Sequence, residues 1–116
     1  MTAPHSPITS HVLDTAKGTP ARGVPVTLDV QRDGAWHRLA ASETNDDGRV
    51  PGFASGHALE RARYRVTFDT ARYFAREGVT GFYPYVEVVF DIAAPEQHYH
   101  IPLLLSPYGF STYRGS

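Results

Sequence analysis

Val24-Pro25-Val26-Thr27-Leu28-Asp29-Val30-Gln31 is the stretch whose reading decides the fold. Valine or leucine stands at every even position from 24 to 30, and the odd positions hold Pro25, Thr27, Asp29 and Gln31. Successive side chains of an extended chain point to opposite faces, so a period of two marks a strand with one dry and one wet face. Two further segments repeat the pattern. Val86, Val88, Phe90 and Ile92 alternate with Glu87, Val89 and Asp91, and Ala62, Tyr64, Val66 and Phe68 alternate with Arg63, Arg65 and Thr67. The second of these sets its arginines on the wet face.

Working outward, weaker strand patterns cover Ile8–Asp14, Trp36–Ser42 and His98–Leu105, with a short last strand through Phe110–Tyr113. Turn chemistry separates them: Lys17-Gly18-Thr19-Pro20, Asp33-Gly34, Asn45-Asp46-Asp47-Gly48 and Ala94-Pro95-Glu96. Asp33-Gly34 between two strand patterns predicts a tight hairpin turn. One segment, Asp69–Gly78, opens on capping residues, continues with helix formers and closes on glycine, which predicts a short helix near 70–78. Seven or eight short strands and one helix predict an all-β fold, an antiparallel β-sandwich. Residues 1–6 are expected to be disordered and residues 7–116 to form a single domain.

Composition narrows the function classes. The chain has 116 residues, 41% of them hydrophobic, with a net charge of −1. That is enough apolar material for one core, and it leaves no basic footprint for nucleic acid or an anionic membrane. There is no cysteine, hence no disulfide framework and no thiolate chemistry. The first residues lack the basic and apolar regions of a secretory signal, and no apolar run reaches the ~18 residues of a membrane span. The expectation is a soluble, cytoplasmic protein with no membrane or nucleic-acid partner.

Six histidines carry the candidate chemistry, at positions 5, 11, 37, 57, 98 and 100. His5 falls in the expected disordered start, and His37 and His57 read as surface residues. His11 lies mid-strand and shares a face with Thr9 and Leu13. His98 and His100 are two apart, so they share a face of one strand. A His-X-His pair can chelate a metal, but no third ligand at a diagnostic spacing follows it. The other use of histidine is general acid–base work near neutral pH. Arg49 follows the Asn45–Gly48 turn, a placement from which a guanidinium can bind an anion or polarise a carbonyl. The last residues, Tyr113-Arg114-Gly115-Ser116, follow an apolar stretch, Ile101–Tyr108, that must be buried. A buried strand that delivers a polar tip to a fixed place suggests a site.

These segments together resemble a known family. They are Ile8-Thr9-Ser10-His11-Val12-Leu13-Asp14, the Gly18–Val26 stretch, Thr44–Arg49, Phe82–Val88, and His98 through Tyr113-Arg114-Gly115-Ser116. The chain is similar over nearly its whole length to the transthyretin-related family, and within it to the enzymatic branch that hydrolyses 5-hydroxyisourate. The terminal tetrapeptide is that branch's hallmark. The hormone-carrying transthyretins share the Leu-Leu-Ser-Pro-Tyr stretch but keep neither the tetrapeptide nor the His/Arg/His set.

The resemblance implies a transthyretin-like sandwich of two four-stranded sheets and a homotetramer built as a dimer of dimers. It implies that the substrate is 5-hydroxyisourate and the reaction the opening of a cyclic amide. His11, Arg49, His100 and Ser116 match the catalytic positions, and His11, Arg49, Tyr113 and Ser116 the substrate-binding ones. His98 and Arg114 are neighbouring candidates. No cofactor and no metal is expected. For assembly, Tyr108, Phe110 and the leucines of 103–105 offer more apolar bulk than a thin sandwich easily hides.

Overall fold

The computed structural model describes residues 6–116. Eight strands and one helix follow in the order β1 (Ile8–Asp14), β2 (Thr19–Pro20), β3 (Pro25–Arg32), β4 (Ala35–Glu43), β5 (Ala62–Phe68), α1 (Thr70–Arg76), β6 (Val86–Ile92), β7 (Tyr99–Ser106) and β8 (Gly109–Thr112). They make two four-stranded sheets, ordered β2-β1-β7-β8 and β4-β3-β5-β6. The core lies between the sheets and is filled by the residues that the period-two reading turned inward. Val26, Leu28 and Val30 of β3, Tyr64, Val66 and Phe68 of β5, and Ile8 and Val12 of β1 have no exposed surface.

Three local expectations meet their physical reasons here. Asp33 and Gly34 both have positive φ, 51° and 77°, the combination a two-residue hairpin needs to follow the strand twist. Asp69 caps α1, its carboxylate accepting from the Arg72 amide at 3.1 Å, and Gly78 follows the helix end at φ 69°. On β3, Asp29 belongs to the outer face as expected, yet it is buried. Arg38 and Arg65 cover it, with closest ion-pair distances of 2.7 and 3.0 Å.

Other expectations change. The sandwich is antiparallel in every ladder but one, because β1 and β7 pair in parallel. The two are joined only through the whole opposite sheet, and that long crossover is what a parallel pair requires. Thr19 and Pro20, read as part of a turn, form a two-residue strand against Leu13 and Asp14. Of the expected disordered start, residues 1–5, with His5, lie outside the described residues. Ser6 departs from the expectation: it is buried, and its hydroxyl donates to the Ile8 carbonyl and accepts from the Ala54 amide. Leu103 and Leu105 are ordinary core, so the excess apolar surface belongs elsewhere. Tyr108, Phe110, Phe82, Tyr83, Tyr85 and Tyr113 are the exposed phenyl and phenol rings. Among the described residues no helix is long and apolar enough to cross a membrane.

Candidate active site

Along β1 the even residues are buried, while Thr9, His11 and Leu13 are only half-buried on the outer face. The parallel ladder sets Thr9 opposite His100 and His11 opposite Pro102. One hydroxyl ties this face together. Thr9 Oγ1 lies 2.9 Å from His98 Nε2 and 2.8 Å from His100 Nδ1. His98, just before β7, is exposed, and His100 is half-buried. The pair expected to share a face does so, and it is joined through a threonine.

Arg49 reaches the same face by a separate route. Asn45 builds the turn before it: its Oδ1 accepts from the Asp47 and Arg49 amides at 2.9 and 3.0 Å. The turn is bolted to β1 by the Val12 amide, which donates to the Gly48 carbonyl at 2.8 Å, and by a bridge between His11 and Arg49. Gly48 is required twice over. Its φ is 75°, and a Cβ there would stand 2.4 Å from the Val12 carbonyl oxygen and 3.3 Å from His11 Cδ2.

The electrostatics of His100 record the convergence. Burial lowers its proton affinity below the ordinary imidazole value, and Arg49, His11 and His98 lower it further. Desolvation and nearby positive charge both disfavour an imidazolium. The ring is therefore neutral at neutral pH, with a lone pair free to accept a proton.

The C-terminal tetrapeptide is divided between two faces. Gly115 bridges His100, its amide donating to the His100 carbonyl at 2.8 Å. This glycine serves closeness rather than flexibility, since a Cβ on it would come within 2.5 Å of His100 Cδ2. The β7–β8 ladder pairs Leu103 with Thr112, and the same register continues to His100 and Gly115. That count places Tyr113 opposite Pro102, on the face of His11 and His100, where it is exposed. Arg114 turns the other way. Its guanidinium stacks on the Tyr99 ring at 4.3 Å and donates to Gln97 Oε1 at 3.0 Å and the His98 carbonyl at 3.2 Å. It pins the tail to the sheet edge, beside a groove of about 270 Å³ that none of His11, Arg49, His98 and His100 lines. Ser116 is exposed, one residue beyond the bridge.

His37 and His57 are exposed, as read, and His57 lines a surface pocket together with His98. Among the described residues no group of three or more His, Cys, Asp or Glu is placed to hold a metal ion. What the sequence reading passed over is Thr9, along with the tight fits at Gly48 and Gly115. Thr9 carried a signal, standing two residues before His11 on the same strand face. The glycines carried none, because close approach depends on the neighbouring strand.

The fold and this face define a class, a transthyretin-like sandwich with imidazoles and a guanidinium on the outside of one sheet. Residues 8–115 match the model of the HIUase/Transthyretin family, and the chain belongs to that family. It is 47% identical over 118 residues to the 5-hydroxyisourate hydrolase of Mus musculus, with 100% of each chain covered. The solved structure of Klebsiella pneumoniae 5-hydroxyisourate hydrolase matches with a TM-score of 0.82 at 38% identity, over 99% of this chain and 100% of that one. Sea bream transthyretin in complex with thyroxine matches with a TM-score of 0.87 at 37% identity, over 94% of each.

Proposed function

We propose that this protein hydrolyses 5-hydroxyisourate to 2-oxo-4-hydroxy-4-carboxy-5-ureidoimidazoline in urate degradation, with His11, Arg49, His100 and Ser116 as its catalytic groups. The observation that carries the reading is the gathering of His11, Arg49 and His100 on one outer face, two by strand register and the third by the β1 bridge. The relatives named above supply the substrate.

The reaction breaks a carbon–nitrogen bond of a cyclic amide. A water molecule held between the imidazoles loses a proton as its oxygen attacks the ring carbonyl. His100, kept neutral by burial and by Arg49, accepts that proton, and His11 supplies one to the departing nitrogen. Arg49 offers only donors, in a planar fork, and it holds the carbonyl oxygens and stabilises the charge that builds on them. Tyr113 and Ser116 orient the planar ring. No step calls on a metal or a cofactor. The working assembly is a homotetramer, a dimer of dimers, in which the exposed rings Phe82, Tyr83, Tyr85, Tyr108 and Phe110 meet other copies. The protein works in the cytoplasm.

The test couples the protein to urate oxidase and follows loss of the substrate's ultraviolet absorbance against the uncatalysed decay. His11→Asn and His100→Asn should each slow the enzymatic rate by ~10²- to 10⁴-fold. Unchanged rates overturn the assignment, and activity lost on chelation and regained with zinc overturns the metal-free mechanism. The sea bream match favours one alternative, a carrier of aromatic ligands. Tight thyroxine binding with no turnover decides for it.

A further inference from the structure

The hydroxyl between His98 and His100 has no role in the reaction so far described. Thr9 Oγ1 carries one hydrogen and two lone pairs. It sits at hydrogen-bond distance from His98 Nε2 and His100 Nδ1 at once, 2.9 and 2.8 Å. With a single hydrogen it can donate to at most one of the rings, so the two nitrogens that face it cannot both be bare and the two tautomers are coupled. If Thr9 donates to His100, then His100 Nδ1 is bare, its proton sits on Nε2, and the ring offers no base. If Thr9 donates to His98, then His100 Nδ1–H donates to Thr9 and Nε2 is bare.

We propose that Thr9 is a positioning residue that donates to His98, holds the His100 proton on Nδ1 and so leaves Nε2 bare as the base. This rests on the assignment of His100 above. Two features of the site carry it. The Nδ1 side of the ring is bonded to Thr9 and Cδ2 lies toward Gly115, so turning the ring over would give up the Thr9 bond and set Nδ1 against Gly115. Arg49, whose charge acts on His100, has only donors, and a bare nitrogen answers a donor where an N–H does not. When Nε2 takes the proton of the attacking water, the imidazolium keeps its Nδ1–H on Thr9. The bond that set the tautomer then stabilises the charge, as the bond at one ring nitrogen governs the chemistry at the other.

The decisive measurement is the tautomer of His100 in the resting, substrate-free protein, read from long-range proton–nitrogen correlations on nitrogen-15-labelled material near neutral pH. The wild type should show His100 protonated on Nδ1, and Thr9→Val should move the proton to Nε2. In the coupled assay Thr9→Val should lower kcat by ~10- to 100-fold with KM held within about twofold, and Thr9→Ser, which restores the hydroxyl, should recover most of it. A wild-type His100 protonated on Nε2 overturns the proposal, and this result needs no variant to fold. An unchanged kcat in Thr9→Val overturns it as well while leaving the hydrolase reading intact. If the wild type does not hydrolyse the substrate, that reading fails and the resting tautomer still decides the placement of the proton.

Discussion

Each sheet of the sandwich turns a polar face outward, and the two faces are built on opposite principles. On β4-β3-β5-β6 the arginines meet their complements. Asp29 is held between Arg38 and Arg65, Arg65 also reaches Glu87 at 3.4 Å and stacks 4.3 Å over Trp36, and Arg63 pairs with Asp91 at 2.8 Å. On β2-β1-β7-β8 the charged and titratable groups acting on His100 are Arg49, His11 and His98, none of them an acid, and only a hydrogen bond to the Thr9 backbone acts the other way. A compensated face has no free valence for a ligand and contributes to structure. An uncompensated face of donors and titratable rings is costly to keep unless something electron-rich is bound there, and strained electrostatics of this kind concentrate at functional sites.

The contrast is sharpest where the second face is tightest. Among variants that keep the reacting groups themselves, Gly115→Ala should have the largest effect on catalysis. Its Cβ would come within 2.5 Å of His100 Cδ2 while the Gly115 amide stays bonded to the His100 carbonyl, so the ring must move. Displacing a catalytic group by about 1 Å costs ~100-fold in rate. The expected result is a drop of that size in kcat with the urea midpoint unchanged. A normal rate would mean that the placement of His100 is not critical.

Asp29→Asn is the mirror experiment on the other face. It keeps the shape of the side chain and leaves two guanidiniums facing each other. Asp29 is 3% exposed and Arg65 23%, but Arg38 is 57% exposed and can turn to water. The loss should therefore fall below that of a fully buried pair, about 2 kcal/mol by urea unfolding. Hydrolysis by the folded fraction should be unchanged. A variant of full stability and impaired turnover would erase the distinction between the faces.

The sequence showed these two faces unequally. Strand alternation alone placed Val26, Leu28, Tyr64 and Phe68 in the core, because a period of two needs nothing beyond the chain itself. The Asp33-Gly34 turn was equally legible, since its backbone demand is local. The parallel pairing of β1 with β7 was not: it arises from a crossover through the other sheet, and no pattern inside either strand encodes its direction. That pairing is what sets Thr9 against His100, so Thr9 stayed hidden while His98 and His100 were plain from their spacing. The placement of Arg114 was missed for a related reason. The register of the tail, one residue either way, decides whether its guanidinium meets the histidines or Tyr99, and only the bridge at Gly115 fixes it.

Arg114→Ala tests that clamp. The guanidinium supports the tail from the far face through Tyr99, Gln97 and the His98 carbonyl, without touching the imidazoles. Its removal should loosen Tyr113 and Ser116 while leaving His100 in place. The expected outcome is a loss of ~10-fold in kcat/KM, about 1.4 kcal/mol, carried mainly by KM. A fall in kcat alone would place Arg114 among the reacting groups instead.

The smallest predicted effect is a shift in titration. His100 is held below the ordinary imidazole value first by burial, then by Arg49, with His11 and His98 as its other titratable neighbours. A depressed folded-state value means that the folded protein binds the proton less readily than the unfolded chain. The contribution to stability is then fully present above the unfolded value of about 6.5 and is lost as pH falls through the folded one. The rate should follow the same direction: protonation removes the base, so the acid limb of kcat lies below the ordinary imidazole value and activity persists into mildly acidic solution. Arg49→Gln deletes the second cause and keeps the first. Followed on the His100 ring by nuclear magnetic resonance, so that loss of turnover does not intrude, its titration should move up but stop short of the ordinary value, because burial remains. A titration that does not move would mean that Arg49 lies too far from His100 to share a substrate with it, and the uncompensated face would lose its centre.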